Sequence, residues 1–340
     1  MNKPKKRSLV ICPGRGSYTK ESLGYLNSHR ARMKDFIDDI DNRRQAEGLP
    51  TISELDSAAS FSPALHTKGE HASPLIYSCA YTDFKSIDLN EVEILAIAGN
   101  SMGWYLTLAF GGALDLAGAY QLIGTMGSMM KNQLIGGQII YPLVRENWQQ
   151  DQEKQDLLFR LISEGNQIPG NQIYPSIYLG GYLVLGGNKG GLDFLLKNLP
   201  PVEHFPFQLI NHGAFHTPLL TEISEQALTI ISQDIFQKPN IPLIDGRGHI
   251  WKSYSTDVRL LYEYTLEHQV VETYDFTKSI EVGLKEYNPD QLILLGPGNS
   301  LGGAIGQILV KLKWQGITTK QDFVERQKRD PILLSMGLKL

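Results

Sequence analysis

The residues best suited to chemistry are a serine set between glycines and a small set of histidines. Gly99-Asn100-Ser101-Met102-Gly103 has the form GxSxG. It follows an apolar run, Glu93 to Ala98, that reads as a strand, and it precedes a helical segment, Tyr105 to Phe110. Glycines two residues either side of Ser101 let the chain turn sharply, so that the hydroxyl is exposed at the positive end of a helix. The backbone N–H of Met102 then faces the same space and can stabilise an oxyanion. GxSxG alone is common, and its strand-to-helix setting is what gives it content.

A serine hydroxyl needs a base to take its proton. Of eight histidines, His29, His66 and His71 lie in polar helix or loop sequence and are expected at the surface. His204, His249 and His268 fit turns or helix ends. His216, in Asn211-His212-Gly213-Ala214-Phe215-His216-Thr217-Pro218, follows a strand and precedes a helix, which is where parallel α/β sheets present functional side chains. His212 competes within the same motif, and residue types alone do not separate the two. Two more glycine clusters follow strands, Cys12-Pro13-Gly14-Arg15-Gly16-Ser17 and Gly296-Pro297-Gly298-Asn299-Ser300. Neither completes a phosphate-binding pattern.

These motifs require rigid elements to bring them together. Strands are predicted at Leu9 to Cys12, Glu93 to Ala98, Ile241 to Ile244 and Gln291 to Leu295. Helices are predicted at Leu23 to Ala46, Pro74 to Ile87, Leu116 to Gln133, Pro218 to Phe236, Thr256 to His268 and Phe276 to Tyr287. Apolar runs alternating with helical periodicity describe a mostly parallel sheet wrapped in helices. Between them, Gly137 to Val144, Asp151 to Glu164, Ile173 to Leu185, Gly191 to Leu199 and Pro206 to Ile210 read as strand, helix, strand pieces, helix and strand. That order implies an inserted ferredoxin-like α+β subdomain over residues 135–208, between the parts 1–134 and 209–340 of a large α/β domain.

Composition excludes several classes. The 340 residues carry 32 Lys plus Arg against 36 Asp plus Glu, a net charge of −4, so there is no basic footprint for nucleic acid. The two cysteines, Cys12 and Cys79, form neither a disulfide framework nor a metal site, and a reducing, cytoplasmic setting is the default. The segment Ile94 to Met130 has Asp115 as its single charge, yet its glycines and polar groups divide it into units too short to span a membrane. Lys3 to Arg7 reads as a solvated basic tail, not a signal peptide. The 33 glycines exceed the usual ~7% and show no collagen period.

Taken in order, the four motifs resemble the malonyl-CoA:acyl carrier protein transacylase family and the acyltransferase domains of polyketide and fatty acid synthases. That family carries PGQGSQ after its first strand, GHSLGE at the nucleophile, GAFH at the histidine and GPG near the C-terminus. The counterparts here are PGRGSY, GNSMGW, GAFH and GPGNSLGG. The resemblance implies an α/β-hydrolase-like large domain with a parallel sheet plus a ferredoxin-like subdomain. It implies an enzyme that moves an acyl group from acyl-CoA to the phosphopantetheine thiol of an acyl carrier protein through an acyl-serine, with no metal and no cofactor beyond acyl-CoA as substrate. Carried over by position, Ser101 is the nucleophile, His216 the base, and Gln269 the residue whose backbone carbonyl orients the imidazole. The N–H groups of Met102 and Arg15 form the oxyanion hole. Lys131, Lys189 and Lys278 are candidates for a basic patch that meets an acidic carrier protein.

The departures from the family's motifs bear on the acyl group. Asn100 replaces the histidine before the nucleophile, Trp104 the glutamate after it, and Arg15 the glutamine of PGQGSQ. The malonyl-binding arginine of the family's RGxxM stretch is Met126 here, in Met126-Gly127-Ser128-Met129-Met130. A carboxylate buried without a partner costs several kcal/mol, so Met126, with Met102 and Trp104, points to an uncharged acyl group. The competing reading has Arg15 swing its guanidinium into the pocket. Phe215 is expected from the family to crowd the acyl α-carbon. Hydrolysis of the same thioester, or a catalytically degraded scaffold that binds carrier protein, are the alternative functions.

Overall fold

The computed structural model describes residues 4–29 and 31–338, and Lys3 lies outside them. Its strands are β1 (Lys6–Cys12), β2 (Val92–Gly99), β3 (Gly137–Pro142), β4 (Ile173–Leu179), β5 (Tyr182–Gly187), β6 (Phe207–Gln208), β7 (Leu243–Ile244), β8 (Ile250–Trp251), β9 (Tyr274–Asp275), β10 (Gln291–Leu294) and β11 (Leu333–Ser335). The helices that position the site are α1 (Lys34–Ala46), α2 (Gly69–Ser86), α3 (Gly103–Phe110), α4 (Leu116–Ser128), α5 (Gln152–Gln167), α6 (Lys189–Asn198), α7 (Thr221–Ile230) and α8 (Phe276–Tyr287).

The large sheet has the order β11-β10-β1-β2-β7-β8, parallel throughout except for β8. Helices cover its faces, so Leu9, Val10, Ile11, Ala96, Ile97 and Leu292 are fully buried. This is why the central strands read as continuous apolar runs and not as alternating ones. The smaller sheet has the order β6-β3-β5-β4-β9. The chain order β3-α5-β4-β5-α6-β6, with β6-β3-β5-β4 side by side, is the ferredoxin-like arrangement. Its own core is built on Ile139, Leu158, Leu183, Leu185 and Leu195. β9, from far beyond residue 208, pairs parallel to β4 at the edge and ties this sheet to the large domain.

Several elements differ from the sequence expectation, each for a local reason. Lys6 and Arg7 belong to β1 and not to a tail: the Arg7 N–H donates to Asp290, and its guanidinium donates to the carbonyls of Tyr287 and Asn288. The helix expected from Leu23 begins only at Lys34, because Gly24 sits at φ 79° and breaks the segment. Helix α2 starts five residues before Pro74 and contains it. Proline has no N–H to bond the carbonyl of Glu70 one turn back; Arg44 Nη1 takes that carbonyl instead, at 3.0 Å. His66 and His71 are buried, not at the surface. His66 Nε2 bonds the Leu55 carbonyl, and His71 Nδ1 lies 3.0 Å from Arg44 Nη2. The segment expected as one helix over Thr256 to His268 is a short α-helix, Val258–Glu263, running into a π-helical turn, Tyr264–His268.

The run from Ile94 to Met130 divides into β2, α3 and α4. Among the described residues no helix is long and apolar enough to cross a membrane.

The glycines beside Ser101 have a steric role. A Cβ at Gly103 would come within 2.9 Å of the Pro13 carbonyl, and one at Gly14 within 2.7 Å of the Asn100 carbonyl. The loop after β1 and the turn after β2 therefore touch backbone to backbone. Gly103→Ala is expected to lower folding stability by about 1–3 kcal/mol, because rigid main chain must move. The shift of a chemical-denaturation midpoint measures it.

Candidate active site

Ser101 stands at the C-terminal end of β2, in the turn that opens α3. Its φ is 56°, a left-handed conformation that non-glycine residues adopt at a cost of about 1–3 kcal/mol. The turn is held by Gly103 N–H to Asn100 O (2.8 Å), Trp104 N–H to Ser101 O (2.9 Å) and Asn100 N–H to Cys12 O (3.2 Å). His216 is also left-handed, at φ 58°. Its N–H donates to Val270 O at 3.0 Å, which pins the loop ahead of α7 to the segment that carries Gln269.

These constraints converge on one chain of hydrogen bonds. Ser101 Oγ lies 2.7 Å from His216 Nε2, and His216 Nδ1 lies 2.5 Å from the backbone carbonyl of Gln269. A carbonyl only accepts, so Nδ1 carries the proton and Nε2 offers its lone pair to the serine hydroxyl. Burial pushes the His216 imidazolium down to about 4; the Gln269 carbonyl opposes this shift and the nearby Arg15 charge adds to it. At neutral pH the ring is therefore an unprotonated base. The Gln269 side chain is fixed as well, accepting from Tyr105 Oη (3.0 Å) and donating to Ser101 O (3.1 Å).

The residues expected to donate to the oxyanion are Met102 and Arg15. Among the described residues neither Met102 N–H nor Arg15 N–H has a protein acceptor. Both residues line the cavity of about 240 Å³ that holds Ser101 and His216. Its walls are mostly apolar, built from Met126, Met129, Met130, Phe215, Ile177 and Val270, among others. Asn100 lines it too, with its Oδ1 buried and unpartnered. Ser300 and Leu301 bring the loop after β10 to the rim.

Trp104 does not reach this cavity, contrary to its assignment as a substrate-binding residue. It is one step further along α3, on the face turned away, where its indole is fully buried. Its Nε1 donates to Thr265 Oγ1 at 3.0 Å, and its ring packs edge-on against Tyr264. His212 also lines the cavity, with its Nδ1 on Gln138 Oε1 at 3.0 Å, but the imidazole bonded to Ser101 Oγ is that of His216. Of the three lysines, Lys131 lies on the cleft adjoining the cavity, together with Lys68. Lys189 is paired with Asp193, and Lys278 packs by Gly248, outside the cavity lining.

Sequence reasoning missed the contribution of the ferredoxin-like sheet. Gln138 Nε2 donates to Ser176 Oγ (2.7 Å) and to Phe215 O (3.3 Å), and Ser176 Oγ donates to Phe215 O (2.7 Å). The peptide just before His216 is thus held by β3 and β4. Periodicity gives no sign of such a contact. Tyr105 was also missed, although its place one helical turn after Ser101 could have flagged it.

A serine hydroxyl bonded to an imidazole that is held by a main-chain carbonyl, on a parallel sheet with a ferredoxin-like insert, defines a recognisable α/β fold class. No family model matches the chain. Among solved structures, it shares its fold with the malonyl-CoA:ACP transacylase of Synechocystis sp. PCC 6803, with TM-score 0.74, 17% identity and coverage of 98% of this chain and 97% of that one. FabD of Acinetobacter baumannii gives a TM-score of 0.72 at 18% identity, covering 88% and 90%. A type II polyketide synthase acyl carrier protein in complex with its malonyl transacylase gives 0.71 at 18% identity, covering 90% and 93%. In sequence, the chain is 23% identical over 276 residues to the non-reducing polyketide synthase nscA of Arthroderma gypseum; the match takes in 81% of this chain and 15% of that protein's length. The chain thus has the malonyl-CoA:ACP transacylase fold.

Two outcomes test the site. The rate of Ser101 acylation is expected to be flat near neutrality and to fall as the pH drops through about 4, where His216 takes up a proton. A pH–rate profile of single-turnover acylation measures it, and a midpoint near 6.5 would mean a solvated imidazole. Gln269→Ala keeps the carbonyl that bonds His216, so it is expected to slow acylation by only about tenfold, against about 10³-fold or more for His216→Ala.

Proposed function

We propose that this chain is an acyltransferase that moves an acyl group from acyl-CoA to the phosphopantetheine thiol of an acyl carrier protein. The observation that carries the reading is the 2.7 Å contact of Ser101 Oγ with an imidazole whose tautomer is fixed by the Gln269 carbonyl. Two free N–H groups stand over the same cavity. The fold shared with solved malonyl transacylases supports it.

His216 Nε2 takes the Ser101 proton as Oγ attacks the thioester carbonyl, and the N–H groups of Met102 and Arg15 receive the oxyanion. The tetrahedral intermediate collapses with cleavage of the C–S bond, the imidazolium returns its proton to the CoA sulfur, and an acyl-serine remains. The carrier thiol then gives its proton to His216 and attacks the acyl-serine. Ser101 leaves with that proton restored. Lys68 and Lys131, at the neighbouring cleft, would meet the acidic face of a carrier protein.

Intact-mass measurement with malonyl-CoA and acetyl-CoA, followed by addition of holo acyl carrier protein, tests this reading. An acyl adduct is expected on the wild type and not on Ser101→Ala, and it should pass to the carrier. Free acid released at the same rate with and without carrier would instead assign a thioester hydrolase. Failure of Ser101 to react with a fluorophosphonate probe or with either thioester would leave only a binding scaffold.

A further inference from the structure

The chain brings two histidines from one motif, His212 and His216, to the same cavity, and the reaction above uses only the second. His212 is half-buried. Its ring stands edge-on to Phe215, with centroids 6.3 Å apart, and its Nδ1 lies 3.0 Å from Gln138 Oε1.

A chain of hydrogen bonds fixes which ring nitrogen carries the proton. The Phe215 carbonyl only accepts, and it takes Ser176 Oγ at 2.7 Å and Gln138 Nε2 at 3.3 Å. Gln138 Nε2 also donates to Ser176 Oγ at 2.7 Å. Turning the Gln138 amide over would set its oxygen against that carbonyl, so Oε1 is the atom that faces His212. An amide oxygen also only accepts, and Nδ1 of His212 is therefore the N–H. Gln138 and Ser176 are both buried, which shields the chain from competing water. Burial, together with the charges of Arg15 and His216, holds the His212 imidazolium well below its ordinary pKa. At neutral pH the ring is neutral and Nε2 presents a lone pair. Among the described residues the ring's single hydrogen bond is the one through Nδ1. Nε2 is not closed off either, as Oδ1 of Asn100 is. The two imidazoles thus share a tautomer and differ in what Nε2 meets: a serine hydroxyl for His216, the cavity for His212.

We infer that His212 is a specificity-determining residue, whose Nε2 accepts a hydrogen bond from a neutral N–H or O–H group of the bound thioester. The inference rests on the acyl-serine reading and adds what the thioester must carry. His212 has no bond to Ser101, so the donor it meets lies away from the reacting carbonyl. A fixed acceptor in a mostly apolar wall favours a substrate that brings a donor, because a purely alkyl group in that place would leave the lone pair desolvated and unpaired. Two parts of a thioester can supply the donor: a hydroxyl on the acyl chain, or the amide N–H of a cysteamine arm beyond the sulfur.

The test uses four thioesters, butyryl and 3-hydroxybutyryl, each as the S-ethyl and the N-acetylcysteamine compound, with acylation of Ser101 followed by intact mass. The variant is His212→Asn, whose Nδ2 can replace the imidazole Nδ1–H on Gln138 and which has no counterpart of Nε2. It is expected to lower the preference for the donor-bearing compound by about 3–10-fold relative to wild type, the strength of one neutral hydrogen bond. A fall in the 3-hydroxybutyryl-to-butyryl ratio places the donor on the acyl chain, and a fall in the N-acetylcysteamine-to-ethyl ratio places it on the thiol arm. Both ratios unchanged would overturn the assignment; a merely loosened structure slows all four compounds alike and moves neither. Nitrogen NMR of histidine-labelled Ser101→Ala protein, with the signal assigned by its loss on adding His212→Asn, gives a reading that needs no acylation. Nε2 of His212 is expected to be unprotonated at neutral pH and to shift towards the protonated range when 3-hydroxybutyryl N-acetylcysteamine thioester is added. A protonated Nε2 in the free protein, or no shift with that compound, would also overturn it. Should no thioester acylate wild-type Ser101 while the shift is seen, the acyl-transfer reading falls and the acceptor role of His212 stands.

Discussion

The contact on which the rest of the site depends is the hydrogen bond from His216 Nδ1 to the main-chain carbonyl of Gln269. A carboxylate in that place would fix the tautomer through a side chain that can rotate. A carbonyl fixes it through the backbone, so the orientation of the base is only as firm as the segment that supplies the carbonyl. That segment leaves the π-helical turn Tyr264–His268 and is bonded at once to the loops of both His216 and Ser101, through Val270 O to His216 N and through the Gln269 side chain to Ser101 O and Tyr105. The geometry of the Ser101–His216 pair is therefore a property of three packed main-chain segments.

Two sheets share the work of holding those segments. The parallel sheet aims Ser101 from the end of β2 and brings the loop after β1 against it, where Gly14 and Gly103 allow backbone contact. The ferredoxin-like sheet reaches in from the other side, with Gln138 and Ser176 fixing the Phe215 carbonyl and so the peptide that leads into His216. Both Ser101 and His216 sit in left-handed conformations. Such strain persists only where surrounding contacts over-determine it, and here contacts from both sheets do so. The insert thus helps to hold the candidate site, and β9 completes its edge with residues from the large domain.

The pocket sets electrostatics against packing. Its apolar wall depresses the basicity of His216 and keeps the ring neutral, and burial likewise lowers the pKa of Arg15, which stays protonated at neutral pH.

By itself the sequence determined the local elements and the motifs that meet at the candidate site. The strand-to-helix turn at GxSxG that carries Ser101, the apolar central strands and the order of strands and helices between residues 135 and 208 were legible because each depends on near neighbours and on period. What tertiary structure decided was direction and pairing. It set His216 and not His212 on the serine, turned Trp104 away into the core, buried His66 and His71, and recruited Tyr105, Gln138 and Ser176. It also laid Arg15 on Phe215, with Nη1 beside Gly69 where α2 meets Gly127 of α4. These outcomes depend on which distant backbones come within hydrogen-bond reach, and no pattern along a single chain segment encodes that.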